Sequence, residues 1–217
     1  MPEVTTRIAQ LQTGEADIIH GLLADHLSTI QDIKGAKITR SEGSGSSELT
    51  FFDMMKPSSP FFDVRVRMAL CQAIDRNSIV KNLFRGEAVL QNSLFVKYPA
   101  TIGYDADLAK NEPFPFDLKK AKELMTAVGY ANGFKTEITT YDTTTSPGTP
   151  AMMQVVSEQL RQIGVEAPVR FMESGQYVGE FREKKLNGMG PISFGGLAAD
   201  FATTYETHYI GGFGFCL

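Results

Sequence analysis

Residues 59–86 constrain the fold more than any other stretch, because two consecutive helices follow from their pattern alone. After a Pro-Phe turn, Asp63 stands where a carboxylate can accept backbone N–H bonds at a helix start. Asn77 is placed to cap a second helix, and Gly86 suits the left-handed position that ends one. Apolar residues recur at helical spacing, first at Val64, Met68, Leu70, Cys71 and Ile74, then at Ile79, Val80, Leu83 and Phe84. The pattern predicts a helical hairpin within an α/β domain.

Helices and strands alternate along the rest of the chain, which is typical of α/β layers. The predicted helices cover 4–13, 22–33, 117–129, 150–163 and 174–185, and the predicted strands cover 16–19, 36–40, 48–54, 133–141, 165–172 and 189–194. Asp117 and Ser174 are predicted caps, and Pro150 and Gly164 are predicted to begin and end the longest helix. The strand, helix and strand between 133 and 172 predict a right-handed crossover.

Length and charge limit the classes of protein that this chain can belong to. Its 217 residues, 42% of them hydrophobic, suit one medium domain or two small lobes. A net charge of −4 argues against a general nucleic-acid binder, which needs a basic face. No apolar run reaches about 18 residues, and the N-terminus lacks the plan of a signal peptide. The protein is therefore expected to be cytosolic, or the chain to begin after its leader.

No arrangement of residues in the sequence indicates catalysis or metal binding. Cys71 and Cys216 form no CxxC pair, and Cys71 is expected to be a buried small hydrophobe. His20, His26 and His208 lack the spacing of metal ligands. The sequence also contains no nucleophile elbow, P-loop or HExxH motif. The chain is thus predicted not to be an enzyme and to need no cofactor.

Four segments, in this order, carry a resemblance to a known family. They are TRIAQLQTGEADI, PFFDVRVRMALCQAIDRNSIVKNLFRGEA, PFDLKKAKELMTAVGYANGF and QVVSEQLRQIGVEAPVRFME. On these segments the chain resembles the extracytoplasmic solute-binding proteins of ABC transporters, in the dipeptide/oligopeptide/nickel-binding family (family 5). The resemblance implies an α/β, periplasmic-binding-protein-like lobe of type II, class C, with a mixed sheet and flanking helices. It also implies an incomplete two-lobe architecture, because such proteins are more than twice as long.

The resemblance further implies a division of the chain into three parts. Residues 1–47 match the end of lobe one and the crossover, residues 48–200 match lobe two, and residues 201–217 are a truncated tail. The full-length protein would be periplasmic, with its signal peptide upstream of Met1 and absent from this chain. Family members usually carry an Asn after the aromatic pair at the crossover, where this chain has Asp53.

In this family the solute lies between two lobes that close around it. In peptide-binding members the residue that matches Asp200 pairs with the α-ammonium of the ligand, since a desolvated charge needs a partner; a helix-cap or turn carboxylate is the alternative role. Leu197 replaces the usual Trp, and the loop at 141–148 has no Arg or Lys to meet a dipeptide's carboxylate. The predicted ligand-binding residues are Tyr141, Asp142, Thr143, Ser146, Phe194, Gly196, Leu197 and Asp200.

The predicted function is the substrate-binding component of an ABC importer, which captures a peptide or a similar small polar solute and delivers it to a membrane permease. The predicted partners are that solute and the permease subunits, with no nucleic acid, and the protein is expected to be a monomer. Three alternatives stay open: a nickel or metal-complex binder of the same family, a truncated remnant that binds nothing, and a small α/β hydrolase or transferase. With one lobe largely absent, the chain alone is expected to bind solute weakly or not at all.

Overall fold

A computed structural model describes residues 3–40, 45–90, 92, 106–141 and 147–195. The helices are α1 (Val4–Thr13), α2 (Leu27–Gln31), α3 (Val64–Ala73), α4 (Arg76–Ser78), α5 (Ala106–Lys110), α6 (Leu118–Ala127), α7 (Thr149–Leu160) and α8 (Ser174–Arg182). The strands are β1 (Gly45–Phe51), β2 (Phe134–Lys135), β3 (Ile138–Tyr141), β4 (Val165–Glu166), β5 (Val169–Met172) and β6 (Met189–Gly195). A π-helical turn at Ile79–Leu83 continues α4, and 3-10 turns lie at Ala24–His26, Pro60–Phe62 and Arg161–Ile163.

The main sheet is mixed and has four strands in the order β1-β6-β3-β5. Strand β1 runs antiparallel to β6, with Gly45 opposite Gly195 and Phe51 opposite Met189. Strands β6, β3 and β5 run parallel to one another. A second, two-stranded parallel sheet pairs β2 with β4. The predicted α/β class with a mixed sheet and flanking helices is therefore confirmed.

Helices cover both faces of the main sheet. The larger core cluster joins Ile138 of β3 to buried residues of α3, α6 and α7, such as Leu70, Met125 and Leu160. A smaller cluster packs Tyr141 of the same strand against Tyr177 and other residues around α8. Because side chains alternate along a strand, Ile138 and Tyr141 point to opposite faces. No helix within the described ranges combines the length and the apolar composition needed to cross a membrane.

The first predicted helix of the hairpin forms and buries part of its predicted face: Leu70 and Ile74 are buried as predicted, but Val64 is not. The cap is confirmed, since Asp63 Oδ1 accepts the Arg65 N–H at 2.8 Å. Hydrogen bonds from Arg65 also lower the pKa of the Asp63 carboxyl to about 2. Val64 is 53% exposed, whereas the fully buried residues of α3 are Val66, Ala69, Leu70 and Ala73. The prediction relied on the spacing of large apolar side chains, so it left out Ala69 and Ala73. Small side chains are also buried where helices pack closely.

Two predicted helix caps are wrong by one or two residues. Asp75, not Asn77, caps the second helix of the hairpin, with its Oδ1 accepting the Ser78 N–H at 2.8 Å. Glu173, not Ser174, caps α8, with Oε2 accepting the Gln176 N–H at 2.9 Å. In both cases the acceptor stands three residues before the amide it meets, which is the spacing of a capping bond. The predicted cap Asp117 is confirmed, at 2.9 Å from the Lys120 nitrogen.

Two predicted strands do not form. Residues 16–19 and 36–40 have no strand partner among the residues that the structure describes, and Ile18 is 87% exposed. A β-strand needs a neighbour that accepts its backbone hydrogen bonds, which the alternation of side chains alone does not supply. The strands predicted at 133–141 and 165–172 form in two pieces each, interrupted before Ile138 and at Ala167-Pro168.

The strand, helix and strand predicted between 133 and 172 form a parallel crossover, and its right-handedness stays a prediction. Strand β3, helix α7 and strand β5 follow one another, and β3 and β5 are parallel. Pro150 lies in the first turn of α7, and Gly164 ends its last turn in the left-handed conformation at φ +80°. The buried hydroxyl of Ser157 donates to the Ala167 carbonyl at 2.6 Å, which fastens α7 to the start of β5.

Strand β1 is anchored at one end by two consecutive aromatic residues. Phe51 packs against Phe61 at 5.1 Å between ring centroids, on the side of the larger core. Phe52 packs edge-on against Tyr177 and Phe181 in the smaller cluster, at 6.3 and 6.2 Å. The anchor lies at the carboxyl end of β1, beside Met189 at the beginning of β6. Strand β1 spans the predicted boundary between residues 47 and 48, and the division itself stays a prediction.

Asp53→Asn is expected to raise the free energy of unfolding by about 1 kcal/mol. The Asp53 Oδ1 atom is buried and has no hydrogen-bond partner in the part of the chain that the structure describes. An amide is cheaper to bury than a carboxylate without a partner, so the substitution removes a desolvation cost. Urea denaturation measures the change, with Asp32→Asn as a control because Asp32 is exposed and loses the same charge. A loss of stability in Asp53→Asn relative to Asp32→Asn would contradict the expectation.

Candidate functional site

The main sheet has one edge at which three strand ends meet. Strands β6, β3 and β5 are parallel, so they finish at the same edge, at Gly195, Tyr141 and Met172. The antiparallel β1 begins there, with Gly45 opposite Gly195. In open α/β sheets, ligands bind outside the carboxyl ends of the strands. The chain segments that follow Tyr141 and Gly195 leave from neighbouring strands at this edge, which we call the carboxyl edge.

Two of the predicted ligand-binding residues belong to strands that end at the carboxyl edge. Tyr141 is the last residue of β3, and Phe194 of β6 pairs with Ser46 of β1. The other six predicted residues, Asp142, Thr143, Ser146, Gly196, Leu197 and Asp200, lie outside the described residues. The predicted residues therefore fall on the two segments that leave adjacent strands at this edge.

Tyr141, the last residue of β3, is buried against helix α8. Its side chain is 8% exposed, and its ring lies 4.2 Å from the Tyr177 ring between centroids. The Tyr177 hydroxyl donates to the Pro191 carbonyl of β6 at 2.6 Å, and burial raises the pKa of Tyr177 well above its usual range. Gly190 leaves room for this hydroxyl, which would lie 2.7 Å from a methyl group there. The pair of tyrosines thus ties the end of β3 and the middle of β6 to helix α8.

Gly148 immediately precedes α7. A methyl group at Gly148 would lie only 2.5 Å from Phe84 Cε1, so the Phe84 ring would have to move, and it would lie at an ordinary contact distance of 3.6 Å from Leu23 Cδ2. Phe84 follows the π-helical turn, and Leu23 comes from the first forty residues. No local pattern in the sequence indicates this contact, because its members lie more than 50 positions apart. Both ends of the predicted solute loop are therefore held by packed residues.

Two ion pairs join the first forty residues of the chain to Arg85 and Glu87, which directly follow Phe84. Asp25 Oδ1 lies 2.6 Å from Arg85 Nη2. Arg40 makes two bonds of 2.6 Å to Glu87, from Nε to Oε2 and from Nη2 to Oε1. The hydrogen bond from Arg40 lowers the pKa of the Glu87 carboxyl. Such fork-to-fork arginine–carboxylate contacts fix geometry more strictly than single ion pairs do.

The described residues contain no cluster of three His, Cys, Asp or Glu side chains that could hold a metal. His26 Nδ1 accepts the Leu23 N–H at 3.2 Å and so stabilises a local turn. His20 is exposed, and His208 lies outside the described residues. Cys71 is half-buried, and burial raises the pKa of its thiol, which disfavours the thiolate. A shallow groove on the exposed side of α6, lined by Lys119, Lys122, Glu123, Thr126 and Ala127, is open to solvent.

Comparison with known proteins identifies the family. Residues 1–212 match the profile of the family described as bacterial extracellular solute-binding proteins, family 5 middle. The chain belongs to this family. The glutathione-binding protein GsiB of Escherichia coli K12 is 31% identical over 189 residues, which cover 87% of this chain and 35% of the relative. The chain thus spans about a third of the length of the curated relatives it matches, and these relatives are solute-binding proteins rather than enzymes.

Solved structures of binding proteins show the same fold. The periplasmic binding protein DppA of Helicobacter pylori, in complex with the peptide STSA, is 26% identical with a TM-score of 0.76, over 94% of this chain and 38% of that one. The dipeptide-binding protein of Pseudoalteromonas sp. SM9913, in complex with Met-Leu, is 23% identical with a TM-score of 0.82, over 95% and 39%. The second likeness shows the fold alone. The predicted family 5 fold, on a partial chain, is confirmed.

Proposed function

We propose that this protein is the solute-binding component of an ABC importer, working outside the cytoplasm and delivering its solute to a membrane permease. The observation that carries the proposal is that, in a chain of family 5, the neighbouring parallel strands β3 and β6 have their carboxyl ends at the same edge of the sheet. The predicted solute loops at 141–148 and 194–200 leave the sheet there. In this proposal residues 1–47 belong to lobe one, residues 48–200 to lobe two, and the cleft between the lobes takes the solute in a monomer that needs no cofactor.

The proposed solute is a peptide or a peptide-like molecule with a free ammonium group. The 31% identical GsiB relative is named for glutathione, and the 26% identical DppA holds a tetrapeptide. Glutathione and short peptides both carry an α-ammonium, and a carboxylate that faces a cation in a desolvated cleft gives it a charge-assisted partner. Asp200 is the residue proposed for that role. The metal-binding alternative gains no support, because no metal cluster occurs within the described residues.

Titration of the 217-residue chain with glutathione, with mixed dipeptides and with a disaccharide of similar size tests this proposal. We expect glutathione or the dipeptides to bind with a dissociation constant above about 100 μM, since half of a cleft supplies only part of the contacts. The disaccharide, which has no ammonium group, is expected not to bind. Saturation-transfer NMR detects binding in this range. Equal binding of the disaccharide and of the peptides would sink the proposal.

A further inference from the structure

The first forty residues of the chain contact one turn of the second lobe through several side chains. The turn at Phe84–Glu87 presents Arg85 to Asp25 and Glu87 to Arg40, with 2.6 Å between the charged atoms of each pair. The Phe84 ring and the Leu23 side chain both lie next to Gly148, 2.5 and 3.6 Å from the position that a methyl group on this glycine would take. The two ion pairs and the approach of Leu23 to Gly148 cross the proposed boundary between residues 47 and 48, whereas Phe84 and Gly148 both belong to the second part.

The Phe84–Glu87 turn has a fixed backbone. The Gly86 N–H donates to the Val80 carbonyl at 2.9 Å, and the Glu87 N–H donates to the Phe84 carbonyl at 2.8 Å. Arg85 adopts φ +50°, which is unfavourable for a residue with a side chain. The two backbone hydrogen bonds of the turn hold Arg85 in this state, and from it the Arg85 guanidinium meets Asp25.

We propose that these contacts form a latch, which favours the closed arrangement of residues 1–47 against residues 48–200. The latch consists of the ion pairs Asp25–Arg85 and Arg40–Glu87 and of the packing of Leu23 and Phe84 at Gly148. The inference rests on the proposed function, because only that proposal assigns the first 47 residues to the other lobe. A protein that binds solute in its closed state then gains apparent affinity from every contact that favours closure.

A pair of spin labels at Lys34→Cys and Lys122→Cys, both exposed positions, reports the distance between the two parts without solute. The background carries Cys71→Ala and Cys216→Ser. We expect one dominant short distance, and in the double variant Asp25→Asn, Glu87→Gln a second, longer population. Exposed ion pairs contribute modestly, so each neutralised pair is expected to shift the closed-to-open ratio by about two- to fivefold. The charge swap Asp25→Arg, Arg85→Asp, alone, is expected to keep the short distance.

Glu158→Gln is the matched control, because Glu158 also forms an exposed ion pair, with Arg161 at 2.9 Å, within one helix end. If the latch variant gives the same distance distribution as this control, the latch is refuted. Glutathione is then added to the labelled latch variant, in which an open population is expected. If that variant opens but glutathione restores none of the short distance, the proposed solute fails while the latch stands. If the variant never opens, the latch alone fails, because saturation-transfer NMR measures glutathione binding separately.

Discussion

Gly133→Ala is expected to destabilise the protein by about 3 kcal/mol or more. Gly133 has φ +74°, and a methyl group there would overlap with the Gly164 carbonyl and lie 2.6 Å from Gly164 Cα. Gly164 precedes Val165, which pairs with Phe134 in the β2–β4 sheet. The methyl group would overlap with backbone atoms, so no side-chain rotation can relieve the overlap. The backbone at Gly133 or at Gly164 must therefore shift.

Gly129→Ala is the control for this substitution. Gly129 has a similar φ of +85°, but no atom lies within 4 Å of a methyl group placed there. Its variant therefore loses only the left-handed preference of glycine, about 1–2 kcal/mol. Urea denaturation of both variants separates the conformational cost from the overlap. Equal losses in the two variants would show that the Gly133–Gly164 approach does not constrain the fold.

Asp200→Asn is expected to raise the dissociation constant of a free dipeptide by about tenfold or more, because hydrogen bonds to charged groups contribute about 1.5–3 kcal/mol. The same dipeptide with an acetylated amino group lacks the cation that Asp200 is proposed to meet. It should bind weakly to the parent protein and lose nothing further in the variant. The four affinities form a cycle that isolates the carboxylate–ammonium interaction.

Glu123→Gln serves as the control in these titrations, since Glu123 is an exposed carboxylate on α6 and its loss changes the net charge equally. We expect it to leave both affinities unchanged. A tenfold loss for the acetylated dipeptide in Asp200→Asn would assign Asp200 to the shape of the loop instead of the ligand. That is the alternative role of Asp200, as a helix-cap or turn carboxylate.

The features that followed from sequence are those whose cause is local. Asp63 and Asp117 cap helices because a carboxylate meets an amide two or three residues ahead, and Gly164 ends a helix because it tolerates a positive φ. The parallel crossover also follows from the order of strand, helix and strand. That same order places the start of the 141–148 loop at the carboxyl end of a parallel strand, and therefore at a sheet edge.

The features that could not be predicted depend on residues far apart in the chain. Residues 36–40 alternate like a strand, but pairing requires a neighbour, which the pattern does not contain. The alternation of side chains along β3 predicts that Tyr141 and Ile138 lie on opposite faces of the sheet. It does not predict that helix α8 buries the face on which Tyr141 lies. The contact of Phe84 with Gly148 likewise arises from tertiary packing and leaves no periodic signal.

Amide chemical-shift mapping by NMR tests the central claim, that the carboxyl edge of this lobe contacts the solute. On addition of glutathione or a dipeptide, we expect shifts to concentrate in residues 141–148 and 194–200. Residues 52–56 and 186–189, at the opposite edge where β1 ends and β6 begins, should not move. Shifts centred on that opposite edge, or on the exposed groove of α6, would contradict the account.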